Sequence, residues 1–270
     1  MEIALSVIFN VYDSKVLYEG KMKLANKSFV PLESLVSCLC VRVFWEFSGG
    51  NLLGVIFTGG ESPASPVIRK ALDGKNALII AADSGLIPAE EAGVKPDWII
   101  GDMDSLGDDK RLRSFPDERV IRYGHEKDYT DTELAFNLAV EKGCDKIWII
   151  GGGGDSRIDH LFAIRSLFER ELFPCRWITA GNDIYCINAG AAENTLSLKL
   201  APGTQVSVFP LGAGPWEALS EGLKWPLAGL LWDRGFFGLS NEAVDGDFSI
   251  KAEKGRFMVI YNFVSLHECF

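Results

Sequence analysis

The sequence lacks any apolar run approaching the roughly 18 residues that a membrane-spanning helix needs. Its most hydrophobic stretch, Leu35 to Trp45, is short and contains Arg42. It also lacks a basic segment at its start, where Glu2 stands, so no secretory signal is read there. Lys and Arg number 27 against 37 Asp and Glu, and the net charge of −10 argues against a nucleic-acid surface, which needs clustered cations. The six cysteines, Cys38, Cys40, Cys144, Cys175, Cys186 and Cys269, form no CxxC pair. A chain of 270 residues needs no disulfide staples, so they read as reduced thiols in a cytoplasmic protein. There is no internal repeat and no low-complexity tract.

What is present suffices for a core: 47% of residues are hydrophobic and 24% charged. Between Leu52 and Thr179, short aliphatic runs alternate with helical patterns, as in a parallel sheet covered on both faces. The expected strands are Leu53–Phe57, Ala77–Ala82, Trp98–Ile100, Arg119–Tyr123, Ile147–Ile150 and Arg176–Thr179. Ser65 with Pro66 predicts a helix start, and Thr130-x-x-Glu133 is a capping box for a helix closed by Gly143. From about Asp183 the pattern alternates instead, at Gln205–Phe209, Phe248–Ala252 and Phe257–Asn262, between glycine- and proline-containing turns. The predicted architecture is therefore an α/β N-terminal domain with a mostly parallel, Rossmann-like sheet, followed by an all-β, sandwich-like C-terminal domain. Its boundaries are 51–180 and 181–270, preceded by a strand-rich extension, 1–50, with strands at Ile3–Val11, Val16–Leu24 and Leu35–Phe47 and no visible chemistry.

Open α/β sheets bind ligands beyond the carboxyl ends of their strands. Thr58-Gly59-Gly60, Asp83-Ser84-Gly85, Gly101-Asp102-Met103-Asp104-Ser105, then His125, Lys127, Asp128 and Asp131, and finally Gly151 to Gly154 with Arg157 and Asp159 follow five successive strands. In an extended segment Asp102 and Asp104 face one side. Two like charges at about 4 Å repel by roughly 4 kcal/mol at an effective dielectric near 20, so such a group calls for a divalent cation. An all-oxygen set suits Mg²⁺, and the lack of His or Cys nearby argues against zinc. Gly151 to Gly154 after a strand offers bare amides to phosphate oxygens, with Lys127 and Arg157 as cations. Neither a Walker loop nor a Gly-x-Gly-x-x-Gly fingerprint is present. Plainer roles stand beside these: Asp83 in a turn, Asp104 and Asp131 as helix caps, Arg157 paired with Asp155 or Asp159, His160 packed and hydrogen-bonded.

The ordered set of Asp83-Ser84-Gly85, Gly101 to Ser105, Lys127 to Ala135 and Arg157-Ile158-Asp159-His160 resembles the signature series of the thiamine pyrophosphokinase family. Gly222 to Leu227 and Leu239 to Glu242 resemble its two C-terminal motifs, so the likeness spans about residues 52–263. It implies Mg²⁺-dependent transfer of a diphosphate group from ATP to the hydroxyl of thiamine, giving thiamine diphosphate and AMP, in a homodimer with thiamine at the interface. Catalytic roles fall on Asp83, Asp102, Asp104, Asp128, Asp131, Arg157 and Asp159, with the metal on Asp102, Asp104 and Asp128. The nucleotide is expected on Asp83, Ser84, Gly85, Lys127, Asp128, Thr130, Asp131, Gly152, Gly153, Gly154 and Arg157. Thiamine is expected on Asp159, Trp225, Ser240 and Asn241, although a core tryptophan and a β-turn are the plain readings of the last three. The sequence departs from the family at Asp155-Ser156, one residue longer, and at Ile164, where the family commonly has asparagine. Two other readings are a thiamine-sensing protein without catalysis and a metal-dependent sugar-nucleotide transferase, which leaves Lys127 to Ala135 and the Trp225 segment unexplained.

Overall fold

The computed structural model describes residues 2–11, 14–23, 52–104, 110–124, 126, 128–154, 157–191, 194–244 and 246–263, the first two ranges as backbone. The chain divides into two units, residues 1–48 and 49–270. In the first, β1 (Glu2–Val11) and β2 (Ser14–Lys23) pair antiparallel, from Glu2 opposite Lys23 to Val11 opposite Ser14. The expected strand at Leu35–Phe47 lies outside the described residues.

The second unit begins with β3 (Leu53–Thr58), β4 (Ala77–Ala82), β5 (Trp98–Gly101), β6 (Val120–Arg122), β7 (Lys146–Gly151) and β8 (Arg176–Ile178). All six are parallel where they pair, within a residue or two of the runs read from sequence. There follow β9 (Asn182–Asn188), β10 (Thr195–Lys199), β11 (Gln205–Leu211), β12 (Glu217–Glu221), β13 (Gly238–Glu242), β14 (Asp247–Lys254) and β15 (Arg256–Asn262). One mixed sheet of ten strands, in the order β13-β11-β15-β9-β8-β7-β3-β4-β5-β6, runs through both halves. The sheet does not stop at residue 180. After the short turn between β8 and β9, Arg176 stands opposite Tyr185 in an antiparallel ladder, and the parallel edge is covered by the next strand. Strand patterning reports which face is apolar, not whether a following strand joins the same sheet.

Helices α1 (Ser65–Leu72), α2 (Leu86–Glu91), α3 (Asp131–Glu141) and α4 (Ile158–Leu167) join the parallel strands. Ile56, Ile80 and Ile100 pack with Leu134, Ala135 and Leu138 of α3, while Val55, Phe57 and Ile79 pack with Ile68 of α1 and Ala89 of α2. In the antiparallel half, Val206, Val208, Phe257 and Val259 meet Leu196, Phe248 and Ile250 of a second sheet, ordered β10-β14-β12. That gives this β-rich region two layers. The capping box forms as predicted: Thr130 Oγ1 accepts from Glu133 N at 3.2 Å, and Glu133 Oε2 accepts from Thr130 N at 3.1 Å. Ser65 does not cap α1; Ala64 holds that position, and the Ser65 hydroxyl donates to Glu91 O at 3.2 Å. No helix among the described residues is long and apolar enough to cross a membrane.

An ion pair fastens the seam between the two halves. Arg176 Nε and Nη2 donate to Asp183 at 2.9 and 2.6 Å, Tyr261 Oη donates to the same carboxylate at 2.8 Å, and Asp183 is 1% exposed. The guanidinium lies over the rings of Trp148 and Tyr185, at 4.7 and 4.9 Å. Removing one partner of such a pair leaves an uncompensated buried charge. Asp183→Ala is therefore expected to lower unfolding free energy by about 3–5 kcal/mol in urea titration, far more than an exposed pair such as Lys199–Asp247 would lose.

Candidate active site

Because β3 to β7 run parallel, their carboxyl ends open on one edge. Asp83 follows β4 in a single 3₁₀ turn, Asp83–Gly85, with φ of 46°. A Cβ on Gly85 would lie 2.2 Å from Phe57 O, so only glycine lets this turn approach the end of β3. Asp102 follows β5, and Asp131 is the first residue of α3. Thr132, next along α3, shares a 2.6 Å buried hydrogen bond with the Thr58 hydroxyl at the end of β3, which anchors the helix start to the sheet.

The result is a triad: one carboxylate oxygen from each of Asp83, Asp102 and Asp131 lies within 4.8 Å of the others. Gly101 makes room for it. Its φ is 146°, and a Cβ there would stand 3.0 Å from Asp131 Oδ1 and 3.2 Å from Asp83 Cβ. Asp83 is buried, and Asp102 and Asp131 are half-buried. At such separations each pair of charges repels by roughly 3 kcal/mol at an effective dielectric near 20.

The triad shares only Asp102 with the metal set expected from sequence. That expectation took Gly101 to Ser105 as extended, but Met103 has φ of 65° and is buried with Leu86, Ile99 and Phe115. The left-handed residue interrupts the extended backbone on which that expectation rested, and Asp104 is exposed where Asp102 is half-buried. Asp128 is exposed as well, and neither belongs to the triad. Lys127 and Ser105 lie outside the described residues. Thr130, expected on the nucleotide, has its hydroxyl in the capping box.

The glycine run is not an open cradle. Gly152 N donates to Gly59 O at 2.9 Å and Gly153 N to Glu61 O at 3.1 Å, while Gly153 O accepts from Glu61 N at 2.8 Å. Two of the amides expected to be bare thus bind the β3–α1 loop. Ile164 is buried, at 3% exposure, in the core shared with α3. Arg157, at the start of α4, is exposed: Nε and Nη2 donate to Asp159 at 3.0 and 2.8 Å, and Nη2 lies 2.6 Å from His160 Nε2. This is the ion-pair role weighed from sequence. His160 is hydrogen-bonded as expected but exposed rather than packed. The hydrogen bond from Arg157 holds the Asp159 carboxyl down to about 2, so the pair persists at neutral pH and is lost as pH falls through that value.

At the β-rich end, Trp225 is 53% exposed, which removes the core reading. Lys224 Nζ lies 4.6 Å from its ring centre and 2.8 Å from Glu242. Asn241 is 5% exposed and faces inward: Nδ2 donates to Trp225 O at 2.6 Å, and Oδ1 accepts from Trp225 N at 3.1 Å and Glu242 N at 2.9 Å. It clamps the Trp225 peptide. Ser240, like Asp83 and Met103 a non-glycine residue with positive φ, at 55°, is exposed. Sequence reading placed Thr58 at the end of a strand and Thr132 within the Lys127 to Ala135 motif but missed the bond between them, which joins positions 74 apart.

Comparison with known proteins follows the same line. A family profile described as the catalytic domain of thiamin pyrophosphokinase matches residues 70–174. The thiamine pyrophosphokinase of Bacillus subtilis (strain 168) is 30% identical over 176 residues, covering 64% of this chain and 80% of that protein. The crystal structure of thiamin pyrophosphokinase from Geobacillus thermodenitrificans superposes with a TM-score of 0.60 at 25% identity, over 80% of this chain and 99% of that one. The Bacillus subtilis structure gives 0.63 at 24% identity, over 78% and 98%, and at that identity it speaks to the fold.

Arg157→Ala removes the donor that depresses Asp159. An NMR titration of the Asp159 carboxyl is expected to move upward from about 2 toward the ordinary carboxylate range.

Proposed function

The chain belongs to the thiamine pyrophosphokinase family, and on that premise we propose that it transfers a diphosphate group from ATP to the hydroxyl of thiamine, giving thiamine diphosphate and AMP. The observation that carries this reading is the triad of Asp83, Asp102 and Asp131 at the carboxyl edge of the parallel strands. An all-oxygen set this close fits Mg²⁺, which keeps several waters and is shared between one or two carboxylates and substrate phosphates. Asp83, Asp102 and Asp131 would hold it, and it would supply positive charge that offsets the charge of the phosphates. Asp104 and Asp128 are exposed, and their proposed role is toward the nucleotide rather than in the triad.

The protein's own groups would do the positioning. Arg157 presents a fork that can exchange Asp159 for phosphate oxygens and stabilise charge on the transferred group. Asp131 and Asp159 are the carboxylates able to accept the thiamine hydroxyl proton; with Asp131 in the triad, Asp159 is the better placed for it once Arg157 turns away. Trp225 offers its exposed ring to the cationic thiamine, a contact that contributes roughly 0.5–2 kcal/mol, with Ser240 beside it and Asn241 fixing the tryptophan backbone. Residues 51–180 would carry ATP and 181–270 thiamine, with no role assigned to 1–50. Homodimerisation with thiamine at the interface draws support from Leu231, Phe236, Phe237 and Leu239, exposed near Trp225 in the sequence. A cytoplasmic location fits Cys144, Cys175 and Cys186, which are free thiols.

One observation favours the sensing alternative: the engaged amides of Gly152 and Gly153 leave fewer donors for phosphate. Incubation with ATP, Mg²⁺ and thiamine separates the two. The proposal predicts AMP and thiamine diphosphate in equal amounts, and tight thiamine binding without AMP would favour sensing. Asp102→Asn and Asp131→Asn should each lower turnover by about 100-fold or more with unchanged circular dichroism. Near-normal turnover in both would overturn the metal assignment.

A further inference from the structure

Thr58 lies outside every motif that carries the family resemblance, yet three elements of the active edge close on it. It ends β3, in register with Gly151 of β7, and is 6% exposed. The Asp83–Gly85 turn comes so near that a Cβ on Gly85 would stand 2.7 Å from Thr58 N. The glycine run comes as close: a Cβ on Gly151 would stand 2.4 Å from Thr58 O, and one on Gly152 3.2 Å from Thr58 Cγ2. The third element is α3, whose Thr132 hydroxyl lies 2.6 Å from Thr58 Oγ1 and is likewise buried. Two of these elements carry triad members, Asp83 within the turn and Asp131 next to Thr132.

We infer that Thr58 is a positioning residue for the triad: its hydroxyl, acting through Thr132, sets where the Asp131 carboxylate stands relative to Asp83 and Asp102. The inference rests on the Mg²⁺ reading above and deepens it. The Thr130–Glu133 capping box is internal to α3 and orders the helix start without saying where that start sits on the sheet. Packing of Leu134 and Ala135 presses α3 against the strands, but apolar contact is non-directional. A short hydrogen bond between strand and first turn has a defined length and direction, and so fixes the register of the helix start. Asp131 is the first residue of that helix, so any slide or rotation of the start carries its oxygens along. Mg²⁺ demands near-ideal octahedral geometry, which makes its affinity sensitive to such a displacement.

Mn²⁺ alone, titrated into the protein and followed by the paramagnetic resonance of the free ion, tests the assignment beside urea unfolding of the same variants. Thr58→Val keeps the side-chain shape but leaves the buried Thr132 hydroxyl unpaired, so Mn²⁺ affinity and the urea midpoint should both fall. The double variant Thr58→Val, Thr132→Val removes both hydroxyls, so its stability should recover toward that of the unaltered protein. Its Mn²⁺ affinity should nevertheless stay about tenfold low, the loss expected when an outer-shell partner is removed. Thr58→Ser, which keeps the hydroxyl, should bind Mn²⁺ as the unaltered protein does. A merely structural role predicts that affinity returns with stability in the double variant, and that result overturns the inference, as does unchanged affinity in Thr58→Val or a loss in Thr58→Ser equal to that in Thr58→Val. Should Thr58→Val not fold, the double variant and Thr58→Ser decide between them. Asp131→Asn separates the two levels of the argument: if it leaves Mn²⁺ affinity unchanged, or if the unaltered protein binds no Mn²⁺, the metal reading itself fails and the role of Thr58 falls with it.

Discussion

Three carboxylates held close together at the end of a sheet repel one another, and the rest of the active edge is organised by the need to hold them there. Folding places Asp83, Asp102 and Asp131 by three different devices: a 3₁₀ turn in the left-handed region, the end of a strand, and the first turn of a capped helix. Each device draws on neighbours that carry no chemistry. Gly85 lets the turn touch β3, Gly101 leaves space where a Cβ would crowd two of the carboxylates, and the Thr58–Thr132 bond fixes the helix start. A fold that invests this much in proximity of like charge fits a site whose ligand is a cation shared with phosphates.

The same edge shows a division between groups committed to structure and groups left to bind. Gly152, Gly153, Thr130 and Asn241 carry motif positions, yet their amides or side chains are engaged in loop pairing, helix capping and a backbone clamp. Arg157, Ser240 and Trp225 are exposed, and the Arg157 guanidinium is paired with the neighbouring Asp159 carboxylate. The Arg176–Asp183 pair sits where the parallel and antiparallel strands join in one sheet, so the edge that carries the triad and the β-rich region share a continuous ladder.

Much of this was legible in the chain. Strands β3, β4, β5, β7 and β8 follow apolar runs that are largely buried, so their pattern is strong, and the capping box at Thr130 is a local device that needs no tertiary information. That Asp104 falls outside the triad was not legible, because the residue between it and Asp102 has a positive φ that no local pattern reports. Met103 adopts the left-handed region to bury its side chain, and that tertiary demand overrides the alternation expected of Asp102 and Asp104. The glycine run misled for a related reason: its amides find partners in a loop about ninety positions earlier, which no local pattern reports. Asn241 illustrates the third limit, since a motif shows that a residue is required without showing whether it faces the ligand or the backbone behind it.

The central claim is that Asp83, Asp102 and Asp131 together hold the divalent cation. Anomalous diffraction from crystals grown with Mn²⁺ and a non-hydrolysable ATP analogue tests it directly. The account predicts a manganese peak at roughly 2.0–2.3 Å from carboxylate oxygens of the triad, with phosphate oxygens completing the shell. A peak ligated by Asp104 and Asp128 with the triad bare would contradict it.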